Sequence, residues 1–154
     1  MTNPLLEPWD TPFSLPPFDR IEDTHFRPAV EAALEDARAK VDAIAGSQEA
    51  PSFANTIEAL EEADAQLNRV LGVFYNLSGA ESSPERQELA REFSPMLSAY
   101  GSDVAMNEAL FARIDAVWNE RDSLDLSDEQ ARLLYLVRRG FVRAGAELEG
   151  IAKD

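Results

Sequence analysis

Residues 51–77 read PSFANTIEALEEADAQLNRVLGVFYNL. Phe53, Ile57, Leu60, Ala63, Leu67, Val70, Phe74 and Leu77 recur at steps of three and four, the spacing that lines side chains along one stripe of a 3.6-residue helix. A half-buried strand would need apolar residues at every second position, and no such alternation is sustained in this stretch or elsewhere in the chain. The spacing predicts an amphipathic helix that begins near Ser52 and ends before Gly79, about seven turns long if unbroken.

The same period extends to both sides. Upstream, Val30, Leu34, Ala37, Val41 and Ile44 form a stripe, Pro28 suits a first turn and Gly46 suits the residue past the end, which predicts a helix over about 28–45. Downstream, Leu89, Phe93, Leu97, Tyr100 and Val104 mark a helix over 84–106. Its start has two candidate caps, Ser82 three residues before Glu85 and Ser83 before Pro84. Pro95 removes one backbone hydrogen bond inside that run, which predicts a kink near residues 91–95, with a break into two helices as the competing outcome.

Asn107 is placed to cap a fourth helix whose Leu110, Ile114 and Val117 face inward beside Phe111 and Trp118, ending near Arg121. Ser127, three before Gln130, opens a fifth with Leu134, Val137, Phe141, Ala144 and Leu148 on its seam. Together these spans make roughly two-thirds of the chain helical. The expected class is all-α: one domain, an antiparallel bundle of about five helices over 25–154, with no internal repeat of solenoid period.

Residues 1–24 break the pattern. Five of the nine prolines lie in the first seventeen residues, which forbids a helix there. Leu5, Leu6, Trp9, Phe13, Leu15, Phe18 and Ile21 carry more apolar surface than a solvated linker tolerates, so this proline-rich segment is expected to be an extended arm strapped across the domain. At the other end, RAGAELEGIAKD (143–154) keeps apolar spacing at Leu148, past Gly145, and at Ile151, past Gly150. Gly145 then falls inside an unfinished helix, and Asp154 is expected to be an internal edge of a longer chain.

Composition narrows the function classes. The 154 residues carry 14 Lys and Arg against 29 Asp and Glu, a net charge of -15. Phosphate-rich partners are repelled by such a chain, so neither nucleic acid nor anionic membrane is expected as a partner. With no cysteine, disulfides and thiolate chemistry are excluded and a cytoplasmic location is expected. The opening residues lack the basic start and apolar run of a secretion signal, and no apolar stretch is long enough to span a bilayer.

Chemistry-bearing patterns are scarce. His25 is the single histidine, whereas common catalytic zinc sites take two or three. Its place in EDTHFRP, ahead of a helix, suits a local hydrogen bond or capping role better than a general base without a nucleophile. Asp122, Asp125 and Asp128 stand at spacings of three, without the alternate spacing or glycine of a calcium loop. They read as acids entering a helix N-terminus. Arg138, Arg139 and Arg143 are the densest basic cluster and are expected mostly to pair with surrounding acids. Phosphate-cradle and nucleophile-elbow motifs are absent. No catalytic, cofactor-binding or metal residue is assigned within the chain.

A resemblance adds what periodicity does not. NPLL (3–6), LPPFDRIEDTHFRPAVEAAL (15–34), residues 51–77, NEALFARIDAVWNERDSLDL (107–126) and RRGFVRAGAEL (138–148) resemble, in order and spacing, successive blocks of the N-terminal region of the thimet oligopeptidase family. Within it they are most similar to the bacterial peptidyl-dipeptidases, with oligopeptidase A-like endopeptidases as the alternative.

The resemblance implies a longer, mostly helical, zinc-dependent peptidase with a narrow channel for short peptides. Its zinc would be held by an H-E-x-x-H helix and a downstream Glu, and that motif occurs nowhere in this sequence. The expected role is therefore a non-catalytic helical domain that forms part of the channel wall and is inactive alone. Its partners would be the remainder of the same chain and short peptides, with self-association of the isolated domain through uncovered surface as a further expectation. Two rivals are a free-standing helical interaction module and a small enzyme built on His25. A complete module should close its last helix and cover its core, whereas a cut domain should expose a contiguous apolar patch.

Overall fold

The computed structural model describes residues 2–147. Helix accounts for 73% of the structure and no strand occurs among the described residues, so the all-α class holds. The helices are α1 (Phe26–Ala45), α2 (Ala59–Ala63), α3 (Ala65–Ala80), α4 (Pro84–Ala105), α5 (Glu108–Asn119) and α6 (Asp128–Arg143). Alpha-carbon contacts group them into two compact units, both discontinuous in sequence: Met1–Arg38 with Ala63–Ser98, and Ala39–Glu62 with Ala99–Asp154.

The first unit is built around phenylalanines. Phe26 of α1, Phe74 of α3 and Phe93 of α4 are each fully buried. Phe74 meets the other two edge-to-face, with ring centroids 5.1 and 5.0 Å apart, a geometry that aligns ring edges with the electron-rich face. Val30, Leu34, Leu67 and Val70 are buried with them, as the helical stripes predict.

The arm joins this unit only in part. Leu5 is fully buried and Leu6, Trp9 and Ile21 are half-buried, but Phe13 is 95% exposed and Leu15 and Phe18 are also exposed, so the expected apolar strap holds only in part. The backbone is unusual where the exposure begins: Phe13 and Ser14 adopt positive φ of 59° and 53° inside a 3-10 turn at Pro12–Ser14, a sparsely populated region for residues with a Cβ.

In the second unit, α5 and α6 pack on each other and both on a π-helical turn at Phe53–Glu58. Leu110, Ile114 and Val117 of α5, Leu134 and Phe141 of α6, and Phe53 and Ile57 of the turn are buried, with Phe111 stacked on Phe141 at 6.1 Å. The cap predictions hold: Asn107 Oδ1 accepts from the Leu110 amide at 2.9 Å, and Ser127 and Gln130 form a reciprocal capping box.

Two expectations change, and the single helix expected over 84–106 holds. Residues 52–78 do not form one unbroken helix. Ser52 and Asn55 cap each other and open the π turn, and Asp64, at φ −90° and ψ 1°, separates α2 from α3, a residue whose short polar side chain disfavours the helix interior. α4 is started by Ser83, whose Oγ accepts from the Arg86 amide at 3.1 Å, and it runs without a break through Pro95.

The second change lies at α6. Its seam stops at Phe141 and Ala144 is exposed. Gly145, at φ 101°, closes the helix: its amide donates to the Val142 carbonyl and the Ala146 amide to the Phe141 carbonyl, both at 3.0 Å. That paired arrangement around a left-handed residue is a Schellman cap. Gly145 is therefore a terminator and not a residue inside an unfinished helix; Leu148 and Ile151 lie outside the described residues.

Candidate functional site

His25 performs a local role. Its Nδ1 accepts from the Glu22 amide at 3.0 Å and its carbonyl accepts from the Asn3 side chain at 2.8 Å, which pins the arm at the entry to α1. Asp128 stands in the first turn of α6, and Asp122 lies in a 3-10 turn at Arg121–Ser123 beside Arg121 at 3.6 Å. The three loop aspartates do not converge on a metal site: among the described residues, no group of three or more His, Asp or Glu side chains is placed to hold an ion.

Two arginines organise irregular backbone. Arg69 of α3 donates to the Leu5 carbonyl at 3.1 Å while its guanidinium lies 4.8 Å from the Trp9 ring, and Trp9 Nε1 donates to Pro4. In the second unit Arg113 of α5, only 7% exposed, donates to the carbonyls of Ser47 and Glu49 at 3.0 and 2.9 Å and to Asn55 Oδ1 at 3.1 Å. A planar guanidinium reaches several acceptors at once, so one side chain fixes the loop between α1 and the π turn. Neither clamp was visible in the sequence, because each joins residues about sixty positions apart without a periodic signal.

The most distinctive surface is where α5 faces α6. Trp118, Tyr135, Arg138, Arg139 and Val142 line an open cleft of about 320 Å³. Guanidinium groups surround its rings: Arg121 lies 4.4 Å and Arg138 5.3 Å from the Trp118 ring, and Arg132 and Arg139 each lie 5.2 Å from Tyr135. Such cation–π contacts leave the N–H edges of a guanidinium available to an acceptor.

Arg138 behaves as the sequence suggests, bonding Asp115 at 2.8 Å and Glu147 at 2.5 Å. Burial works against its charge, but these two carboxylates outweigh it and hold the guanidinium more firmly cationic than usual. Arg139 and Arg143 depart from that expectation: neither forms an ion pair with a described residue. A second hollow, of about 380 Å³, lies where Met106, Asn107, Glu108 and Phe111 face Ala144–Ala146. Its lining carries a single carboxylate and no histidine.

No protein-family model matches the chain. Individual relatives do. Over 147 residues the chain is 45% identical to the dipeptidyl carboxypeptidase of Salmonella typhimurium, covering 96% of this chain and 22% of that protein. It is 41% identical to the Escherichia coli dipeptidyl carboxypeptidase over 146 residues, 95% of this chain and 21% of the relative. Oligopeptidase A of S. typhimurium matches at 40% over 111 residues, 72% of this chain and 16% of its own length. The chain thus belongs to the thimet oligopeptidase family of peptidases. It spans about a fifth of the length of the dipeptidyl carboxypeptidases it matches.

Proposed function

We propose that these residues are the non-catalytic N-terminal helical part of a cytoplasmic, zinc-dependent peptidyl-dipeptidase, which releases dipeptides from the C-termini of short peptides, and that they form part of the wall of its substrate channel. One observation carries the reading: similarity to dipeptidyl carboxypeptidases covers 96% of this chain but only 22% of the relative. The residue inventory supports a division of labour. With one histidine and no H-E-x-x-H segment, the side chains here do not fit a zinc site, so the metal and the base that activates water would belong to the rest of the parent.

The endopeptidase alternative draws on oligopeptidase A, whose match from S. typhimurium covers 72% of the chain against 96% for the dipeptidyl carboxypeptidase. Exposed Phe13, Leu15 and Phe18 in the first unit and Met106 in the second are surfaces for the remainder of the parent to cover, or for self-association of the isolated chain. No helix among the described residues is long and apolar enough to cross a membrane.

The test compares the 154-residue chain with its full-length parent on an N-blocked tetrapeptide, followed by mass spectrometry. The parent is expected to release the C-terminal dipeptide, to lose activity on chelation and to spare a C-amidated peptide. The isolated chain is expected to do nothing with added zinc. Hydrolysis that stays with the chain through repurification overturns the reading, and internal cleavage of longer amidated peptides by the parent selects the endopeptidase branch.

A further inference from the structure

Residues 130–146 contain Arg132, Arg138, Arg139 and Arg143 and no Asp or Glu, a local charge of +4 inside a chain of net charge -15. They include all of α6 except its first two residues, Asp128 and Glu129; the helix buries Leu134 and Phe141, and its other side is not uniformly polar. Tyr135 and Leu136 are 39% and 37% exposed, and Arg132, Tyr135, Leu136, Arg139 and Arg143 recur at helical spacing. Cations are concentrated here, held over aromatic rings, and three of the four lack a carboxylate partner among the described residues.

From this placement we infer that the α6 face bearing Arg132, Tyr135 and Arg139, with the cleft against Trp118, is a docking site for a short acidic peptide segment. The guanidiniums offer forked donors to carboxylates, and the rings offer a flat apolar floor for the stems of Glu side chains. Size selects the partner. From Arg132 to Arg143 the helix rises about 17 Å, the reach of roughly five extended residues. A nucleic acid or a bilayer extends far past that length and would meet the acidic remainder of the surface within one Debye length of about 8 Å. The inference does not depend on the peptidase reading.

The probe is the blocked pentapeptide Glu-Ala-Glu-Ala-Glu, titrated into the 154-residue chain and followed by amide and Trp indole NMR signals. Shifts are expected at the Trp118 indole and along α6, and not at Trp9, and raising salt from roughly 50 to 300 mM should weaken binding severalfold. Arg132→Gln with Arg139→Gln should weaken it about tenfold or more while amide signals outside α6 stay in place, which shows that the fold is intact. Unchanged affinity in that double variant overturns the site. So does equal binding of Lys-Ala-Lys-Ala-Lys, tighter binding of phosphatidylglycerol vesicles or of single-stranded RNA, or concentration-dependent self-association that shifts the same α6 signals without peptide.

Discussion

The two units hold themselves together by different chemistry. The first converges on three fully buried phenylalanines whose rings meet edge-to-face. In the second, alongside its apolar residues, a nearly buried arginine donates to two carbonyls of one loop and to the Asn55 side chain of the π turn. Dispersion and burial are non-directional, so the first solution tolerates small shifts and loses stability in proportion to volume removed. Hydrogen bonds to a buried charge are directional, and removing the donor strands every acceptor it served.

The largest expected effect strikes the apolar centre. Phe74→Ala should cost about 3–5 kcal/mol, since Phe74 is fully buried and contacts both neighbouring rings. Denaturant unfolding by circular dichroism reads it, and a loss below about 1 kcal/mol would mean that the triad is not the centre of its unit. Arg113→Ala comes next, at about 2–4 kcal/mol, because the Ser47 and Glu49 carbonyls lose this donor while Asn55 Oδ1 keeps the Ser52 amide and the Thr56 hydroxyl. Arg113→Lys sharpens the contrast: it keeps the charge without the fork, and should recover less than half of that loss. Full recovery would show that charge, and not directed bonding, fixes the loop.

Gly145→Ala should cost about 1–2 kcal/mol, because φ of 101° is strained for any residue with a Cβ; hydrogen exchange should show fraying confined to the last turn of α6. The smallest effect belongs to the arm. A side-chain hydrogen bond from Thr2, and then one from Arg20, lowers the Glu7 pKa below its ordinary value. A lowered folded pKa means that the contribution is present at neutral pH and fades as acid titrates Glu7 in the folded state. NMR titration should place Glu7 below a free glutamate, and Thr2→Ala should raise it further than Arg20→Gln does.

Periodicity made much of this fold legible. The stripes of α1 and α5 are buried residue for residue, and Asn107, Ser83 and the Ser127–Gln130 pair start the helices as local capping chemistry dictates. What escaped has a physical pattern. Asp64 interrupts a seam whose apolar spacing continues through the break, so side-chain period alone does not register it. Gly145 looked internal because apolar spacing resumes beyond it, yet its backbone conformation ends the helix.

The arginine clamps were hidden for another reason, since Arg113 and Ser47 meet only after folding. In the α6 cluster, the expected pairing with acids holds for Arg138 and not for Arg139 or Arg143 among the described residues. Sequence shows which charges are neighbours along the chain and leaves open which of them find partners across it.

The interleaving of the units also sets a timetable. By the time Ser98 has been synthesised, the first unit possesses every residue it needs, Phe26, Phe74 and Phe93 included. The second is then less than a third made: its 39–62 portion exists, but Arg113 and both helices that cover the π turn are still to come. During that interval Phe53 and Ile57 lack the helices that pack on their turn, so nascent chains stalled between residues 98 and 143 are the ones expected to need chaperone shielding.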